Sequence, residues 1–371
     1  MADILIYKET LLPRSETFIL AQMHSLRGLS ARLIGLEPVH NSLISSDMAI
    51  LLSKMPGAIA SLRAKAYRRT GIAPTFHAKA RREKSSLLHA HFASGGISAI
   101  PLAQSLKVPL VVTLHGSDIT VPWMTGSTIA RLGKAAASFL CVSSFIRDRA
   151  LSAGFPPEKL RVHYIGINCE QFQGRPSFAE NSGILFIGRL VEKKGCYYLL
   201  QAMQAVQRLH PDAALTLIGD GPLRKDLESQ AATFGVRCSF LGLQPSTVVR
   251  AHLSRTKILC APSVTGTDGD SEGLPTVLAE AHAMGIPAVS TLHAGIPEIV
   301  LNGRTGCLVR ERDVAALAEA IILLLSNPAL WHQWSAASKA HIATSFDLQK
   351  QTAELETIYR GLMNGATTRI Q

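Results

Sequence analysis

Short apolar, β-branched runs alternate with longer helical patterns along both halves of this chain. That alternation constrains the fold more than any other feature. In the first half ADILIY (2–7), SLLHAHF (86–92), PLVVTLH (109–115) and SFLCVS (138–143) read as strands. A helix is expected to start near Ser15 to Phe18, and SGGISAIPLAQSL follows the second run as another. In the second half the strands are GILFIGR (183–189), AALTLIG (213–219), CSFLG (238–242), KILCAPS (257–263) and PAVST (287–291), with helical patterns over 196–210, 223–235, 246–255 and 314–326. Runs that are apolar throughout are buried on both faces, which strands in parallel sheets covered by helices are. The 371 residues exceed one average domain and suit two. The expected class is therefore α/β, with two Rossmann-like domains whose parallel sheets face an interdomain cleft. The linker is expected around Tyr164–Ser182, where Pro, Gly and polar residues gather.

Composition narrows the setting. None of the six cysteines forms a C-x-x-C pair, so buried thiols in a reducing cytosol are expected rather than disulfides or zinc. MADILIYKET shows no basic region followed by an apolar one, and no run of 18 apolar residues occurs, so neither a signal peptide nor a spanning helix is expected. The net charge of +11 is uneven: 21 of the 38 Lys and Arg but only 11 of the 27 acids fall in residues 1–180. The excess is densest from Lys54 to Lys84. It reads either as a solvated helical face or as a contact with an anionic membrane surface or polyanionic acceptor. Nucleic acid fits less well, because aromatics are scarce in that stretch.

In open parallel sheets ligands bind beyond the carboxyl ends of strands, so the loops that follow strands carry the candidate chemistry. One stands out, SEGLPTVLAEAHAMGIP (271–287). Glu272 and Glu280 flank a Gly273-Leu274-Pro275 break that turns loop into helix. Unpaired N–H groups at a helix start suit phosphate, and a carboxylate on each side suits hydroxyls. Phosphate plus hydroxyls describes a nucleotide sugar. GRLVEKKG (188–195) adds Arg189 and Lys194, cations suited to a diphosphate, and Gly188 for close approach; an ordinary basic loop is the plainer alternative. Gly219 in GDGP and Leu241 in LGLQPS sit in turns that bring backbone near a nucleotide, or are plain turns.

His115 ends a strand in TLHGSD and faces the expected cleft, where it suits a sugar. His89 and His91 form H-A-H, read as strand-end polar residues rather than metal ligands. Asp268, Asp270 and Glu272 form an acidic run, but two cations offered to the diphosphate make a metal unnecessary; no metal and no cofactor are expected. Arg14, Ser15, Glu16 and Thr17 follow the first strand, as a helix cap and first turn or as an acceptor-side loop.

Taken together, GRLVEKKG, IGDGPL, FLG, EGLPTVLAEA with its E-x7-E spacing, AGIPEIV (294–300) and NGRTGCLV (302–309) resemble the retaining glycosyltransferases of family 4, which have the GT-B fold. The Pro13–Ile19 loop, the HGSD turn and Gly269–Pro275 resemble the branch of bacterial exopolysaccharide and lipopolysaccharide assembly. At the first loop this chain carries Arg14-Ser15-Glu16 where many members have Gly-Gly. The resemblance implies an acceptor domain over 1–168, a donor domain over 169–345, and a last helix, 346–371, that crosses back to the first domain. It implies that Glu280 binds ribose hydroxyls, Glu272 the transferred sugar with the amides after it, Arg189 and Lys194 the diphosphate, and His115 the sugar.

The expected activity is metal-independent, retaining transfer of a hexosyl group from a UDP or GDP sugar to a glycan or lipid-linked acceptor, at the cytoplasmic side of the cell membrane. Two alternatives stay open: a GT-B nucleotide-sugar epimerase, and a non-catalytic protein that binds anionic surfaces through residues 54–84.

Overall fold

The computed structural model describes residues 2–11, 16–38, 48–54, 57–174 and 177–367. The chain divides into two compact units, one of Met1–Gly166 with Leu348–Gln371 and one of Ile167–Asp347.

Unit 1 carries a seven-stranded sheet. Its strands are β1 (Ile4–Thr10), β2 (Ala31–Glu37), β3 (Ala49–Leu51), β4 (Leu87–His91), β5 (Leu110–Leu114), β6 (Ser138–Cys141) and β7 (Leu160–Val162), in the order β3-β2-β1-β4-β5-β6-β7. Every neighbouring pair is parallel. Ile4, Leu5, Ile6 and Tyr7 are all buried, as are Leu87 to His91, which is why these stretches read as unbroken apolar runs. Helix Leu348–Thr367 belongs to this unit. Its Leu355 and Tyr359 pack with Ile4, Ile6, Ile19 and Val111, the Tyr359 hydroxyl meets His89 Nδ1 at 2.5 Å, and Glu356 accepts from the amides of Arg27 and Gly28.

Unit 2 repeats the plan with β8 (Ser182–Ile187), β9 (Leu215–Ile218), β10 (Cys238–Phe240), β11 (Thr256–Ala261), β12 (Ala288–Thr291) and β13 (Gly306–Val309), in the order β10-β9-β8-β11-β12-β13, again all parallel. Helix Cys196–Leu209 lays Leu199, Leu200, Met203 and Val206 onto the sheet at helical spacing, against Leu217 and Ile258. Buried Trp331 joins them, and its indole N–H donates to the Lys257 carbonyl at 2.7 Å.

Each order is that of a Rossmann sheet, which reverses direction beside its first strand. Those switch points lie between β1 and β4 and between β8 and β11. The loops that leave β8 and β11 are the two that carry GRLVEKKG and SEGLPT.

The strands expected from sequence are present with shifted ends, whereas β2, β3, β7 and β13 are additions. β2 holds a glycine and two charges, and the other three span only three or four residues. The basic stretch is helical, as Ala58–Thr70 and Pro74–Arg81.

Candidate active site

The strongest polar contact at the switch point of unit 2 joins its two loops. Nζ of Lys194 lies 2.7 Å from Oε1 of Glu272, which also accepts from the Ser263 hydroxyl at 3.0 Å. Glu272 is buried. Burial alone would raise its pKa, but the ammonium groups of Lys194 and Lys193 and the bonds from Lys194 and Ser263 hold it below the ordinary value. The carboxylate is thus charged and paired. Lys193, beside Lys194 in the chain, turns instead to Asp270 at 2.8 Å and to the Ser271 carbonyl. Asp268 accepts from the Asp270 amide. The acidic run is therefore spent on separate partners, and among the described residues no three His, Cys, Asp or Glu groups are placed to hold a metal.

Arg189 sits on the same loop as Lys194 but is exposed, and among the described residues its guanidinium makes no ion pair. The sequence brackets the two cations together; the structure brings only Lys194 against Glu272.

Helix Thr276–Ala283 follows the Gly273-Leu274-Pro275 break, with Pro275 at its N-cap position. Among the described residues the amides of Gly273 and Leu274 make no hydrogen bond. Two unspent donors therefore stand between Glu272 and the helix start, where charge-assisted bonds to an anion are favoured. Glu280, just over one turn into the helix, is half-buried. Burial pushes its carboxyl up to about 7, against the lowering pull of Arg250.

The glycines of these loops are where backbone meets backbone. Gly188 donates to the Ile218 carbonyl, Gly219 to the Gly242 carbonyl, and Leu241 to the Leu217 carbonyl, so the turns after β8, β9 and β10 are stitched in series. Gly219 has φ +134°, and a Cβ there would lie 1.9 Å from the Gly188 oxygen. Gly195, which ends the cationic loop, has φ +68° and would meet the Pro262 oxygen at 1.8 Å. Gly195→Ala is expected to cost about 2–5 kcal/mol, combining left-handed strain with overpacking against a carbonyl. A urea midpoint equal to that of the unmodified protein would contradict it.

In unit 1, His115 Nε2 lies 3.0 Å from His91 Nδ1, and its ring packs on Phe18 and Phe92. Burial, then Lys8 and His89, hold His115 well below the usual imidazole value, so it is neutral. Asp118 ties the turn down by accepting from the amides of Ala93, His115 and Gly116. Glu16 pairs with Lys8 at 2.8 Å and precedes helix Thr17–His24 without a side-chain cap bond. Arg14 and Ser15 lie outside the described residues.

Sequence reasoning passed over Ser263, Lys193, His293 and Glu311. His293 accepts a hydrogen bond from the Glu272 amide at 3.1 Å, and its other ring nitrogen lies 2.6 Å from Glu311. His293 follows β12, a strand the sequence does show, so extending the loop-after-strand rule to it was the available signal; Glu311 follows β13, which its pattern does not reveal.

Residues 37–171 match the model named Glycosyltransferase Family 4, and residues 181–327 match Glycosyl transferases group 1. The amylovoran biosynthesis glycosyltransferase AmsK of Erwinia amylovora is 31% identical over 278 residues, 71% of this chain and 68% of AmsK. The chain belongs to glycosyltransferase family 4. The putative colanic acid biosynthesis glycosyltransferase WcaL of Salmonella typhimurium is 33% identical over 238 residues, 62% of this chain and 59% of WcaL. The chain thus spans about three-fifths of the length of the WcaL proteins it matches. Among solved structures, Anabaena HepE in complex with UDP superposes with a TM-score of 0.79 at 19% identity, covering 97% of this chain and all of HepE. Sucrose-phosphate synthase from Thermosynechococcus elongatus gives 0.79 at 18%, over 98% of this chain. At those identities the likeness concerns the fold, which is the GT-B type.

Proposed function

We propose that this family 4 member transfers a hexosyl group, with retention, from a UDP or GDP sugar to a glycan or lipid-linked acceptor in cell-surface polysaccharide assembly. The observation that carries the reading is the Lys194–Glu272 pair at the switch point of unit 2, set beside the free amides of Gly273 and Leu274. AmsK and WcaL are named for polysaccharide biosynthesis, and HepE was crystallised with UDP and glucose, which agrees with this donor class.

The difficult step breaks the anomeric C–O bond and leaves extra negative charge on the nucleoside diphosphate. Lys194, exposed Arg189 and the start of helix Thr276–Ala283 stabilise that charge before reaction begins. Glu272 accepts from hydroxyls of the transferred sugar and Glu280 from the ribose. Gly188 and Gly219 let the backbone approach the nucleotide, and the turn at Leu241 faces the base. The acceptor attacks from the side the leaving group departs, and a phosphate oxygen takes its proton. The lysine and arginine cations replace a divalent ion in this scheme, so excess EDTA leaves the rate unchanged. A thermal-shift panel of UDP, GDP and ADP, followed by turnover of the matching sugars, tests the donor. NMR of the product's anomeric proton tests retention. No shift with any nucleotide would sink the reading, and a new nucleotide sugar formed from donor alone would favour the epimerase.

The lipid-side partner rests on helices Ala58–Thr70 and Pro74–Arg81 with their connecting residues. Ile59, Leu62 and Ile72 are exposed among Arg63, Lys65, Arg69 and Lys79, which are also exposed. Apolar side chains amid cations suit an anionic bilayer at the cytoplasmic face. Leu62→Glu with Lys65→Glu is expected to abolish co-flotation with phosphatidylglycerol vesicles. Flotation equal to that of the unmodified chain would exclude this surface.

A further inference from the structure

Beside the candidate donor loop lies a chain of three groups, of which Glu272 and His293 are buried and Glu311 is partly exposed. The Glu272 amide donates to Nε2 of His293, and Nδ1 of His293 meets Oε1 of Glu311. An amide nitrogen only donates, so Nε2 must present its lone pair. The ring proton is then on Nδ1 and is given to the Glu311 carboxylate. A doubly protonated imidazole would set N–H against N–H at 3.1 Å. Glu311 is itself fixed, by the Thr265 amide at 2.9 Å, the Thr265 hydroxyl at 3.2 Å and Arg312 at 3.1 Å. Although burial pulls its carboxyl upward, the bonds from the Thr265 amide, the His293 ring and the Thr265 hydroxyl hold it below the ordinary value.

The backbone around this chain is strained in a telling pattern. Ala294, directly after His293, has φ +49°, and Arg312, directly after Glu311, has φ +65°. Left-handed backbone at non-glycine residues is unfavourable and persists where surrounding contacts over-determine it. Each left-handed residue directly follows a member of the chain, in the segments that leave β12 and β13.

We propose that Glu311 and His293 are positioning residues: a carboxylate–imidazole relay that fixes the peptide of Glu272, so that its carboxylate faces Lys194 and the next two amides, of Gly273 and Leu274, stay aimed at the donor. This rests on reading that loop as the donor site. The relay uses the Glu272 amide, leaves those of Gly273 and Leu274 unbonded among the described residues, and fixes the first amide's direction through a single tautomer. Losing it lets the loop drift, and a misplacement of about 1 Å costs roughly 10²-fold in rate.

Two measurements on the full chain test it. In ¹⁵N-histidine NMR at neutral pH, His293 is expected as the Nδ1–H tautomer with a bare Nε2. An Nε2–H or imidazolium signal overturns the relay whatever the protein's activity. In turnover of the donor found active, His293→Phe is expected to lower kcat about 100-fold while the nucleotide Kd changes less than threefold. His293→Gln, whose amide oxygen reaches the Nε2 position, is expected to recover at least about tenfold of that loss. Equal losses in the two variants, or none in His293→Phe, overturn the proposal. If His293→Phe does not fold, Glu311→Ala, which frees the tautomer, carries the same kcat expectation. Failure of every nucleotide to bind the unmodified chain would remove the donor reading and leave the tautomer result standing.

Discussion

Lys194→Ala is expected to reduce donor turnover by about 10²–10³-fold and, in the same variant, to remove about 3–5 kcal/mol of stability. The two effects have different causes. The rate falls because a fixed cation no longer meets the leaving diphosphate. The stability falls because Glu272, only 6% exposed, is left charged with its nearest cation gone. A second substitution separates them. In Lys194→Met with Glu272→Gln both charges vanish together, and the amide oxygen introduced by the second change still accepts from the Ser263 hydroxyl. Replacing a buried ion pair by neutral groups of similar volume is often neutral for stability. The double variant should therefore unfold near the wild-type urea midpoint and remain inactive. A stable but active double variant would refute the catalytic role, and an unstable one would refute the ion-pair argument.

Glu280→Gln is expected to do the reverse, stabilising the free protein while weakening nucleotide binding. The carboxyl titrates at about 7 in the folded chain against an ordinary 4.5. A raised folded pKa contributes stability that is complete below the unfolded pKa and is lost as pH rises through the folded one. Wild-type stability should thus decline between about pH 4.5 and 7, by about 3 kcal/mol if the shift is fully expressed. Glu280→Gln cancels that slope, so the variant matches wild type near pH 4.5 and exceeds it at about pH 8. The same change removes a charged acceptor for the ribose, worth about 1.5–3 kcal/mol per bond to a charged group. Nucleotide affinity at about pH 8 should fall by roughly 10- to 150-fold. Denaturation at both pH values and calorimetric titration with the nucleotide check the pair of outcomes. A parallel pH dependence in variant and wild type would remove Glu280 as its source.

Much of this site is visible in the sequence because its parts are local. GRLVEKKG directly follows a strand and holds two glycines and its cations within eight residues, while SEGLPT sets a carboxylate, a glycine and a proline at a helix start, in the loop that leaves β11. What the sequence does not convey is which side chain meets which. Lys193 and Lys194 are indistinguishable as letters, yet one pairs with Asp270 and the other with Glu272. Arg189 shares their loop and stays exposed. His293 and Glu311 are 18 residues apart and meet because β12 and β13 pair with Ala288 opposite Gly306, which places their two exits side by side. β13 is four residues long, too short to register as a strand on its pattern alone. Unit 1 shows the same limit: helix Leu348–Thr367 closes a core whose other members lie more than 200 residues earlier.

That last helix has a bearing on synthesis. Unit 2 is one uninterrupted stretch, and its two ends meet, with the Ile167 amide bonded to the Phe346 carbonyl. Unit 1 lacks Leu355 and Tyr359 until helix Leu348–Thr367 leaves the ribosome. The half that is translated second can therefore complete first, and the amino-terminal half must wait with an uncovered apolar face, which is when a nascent chain most needs a chaperone.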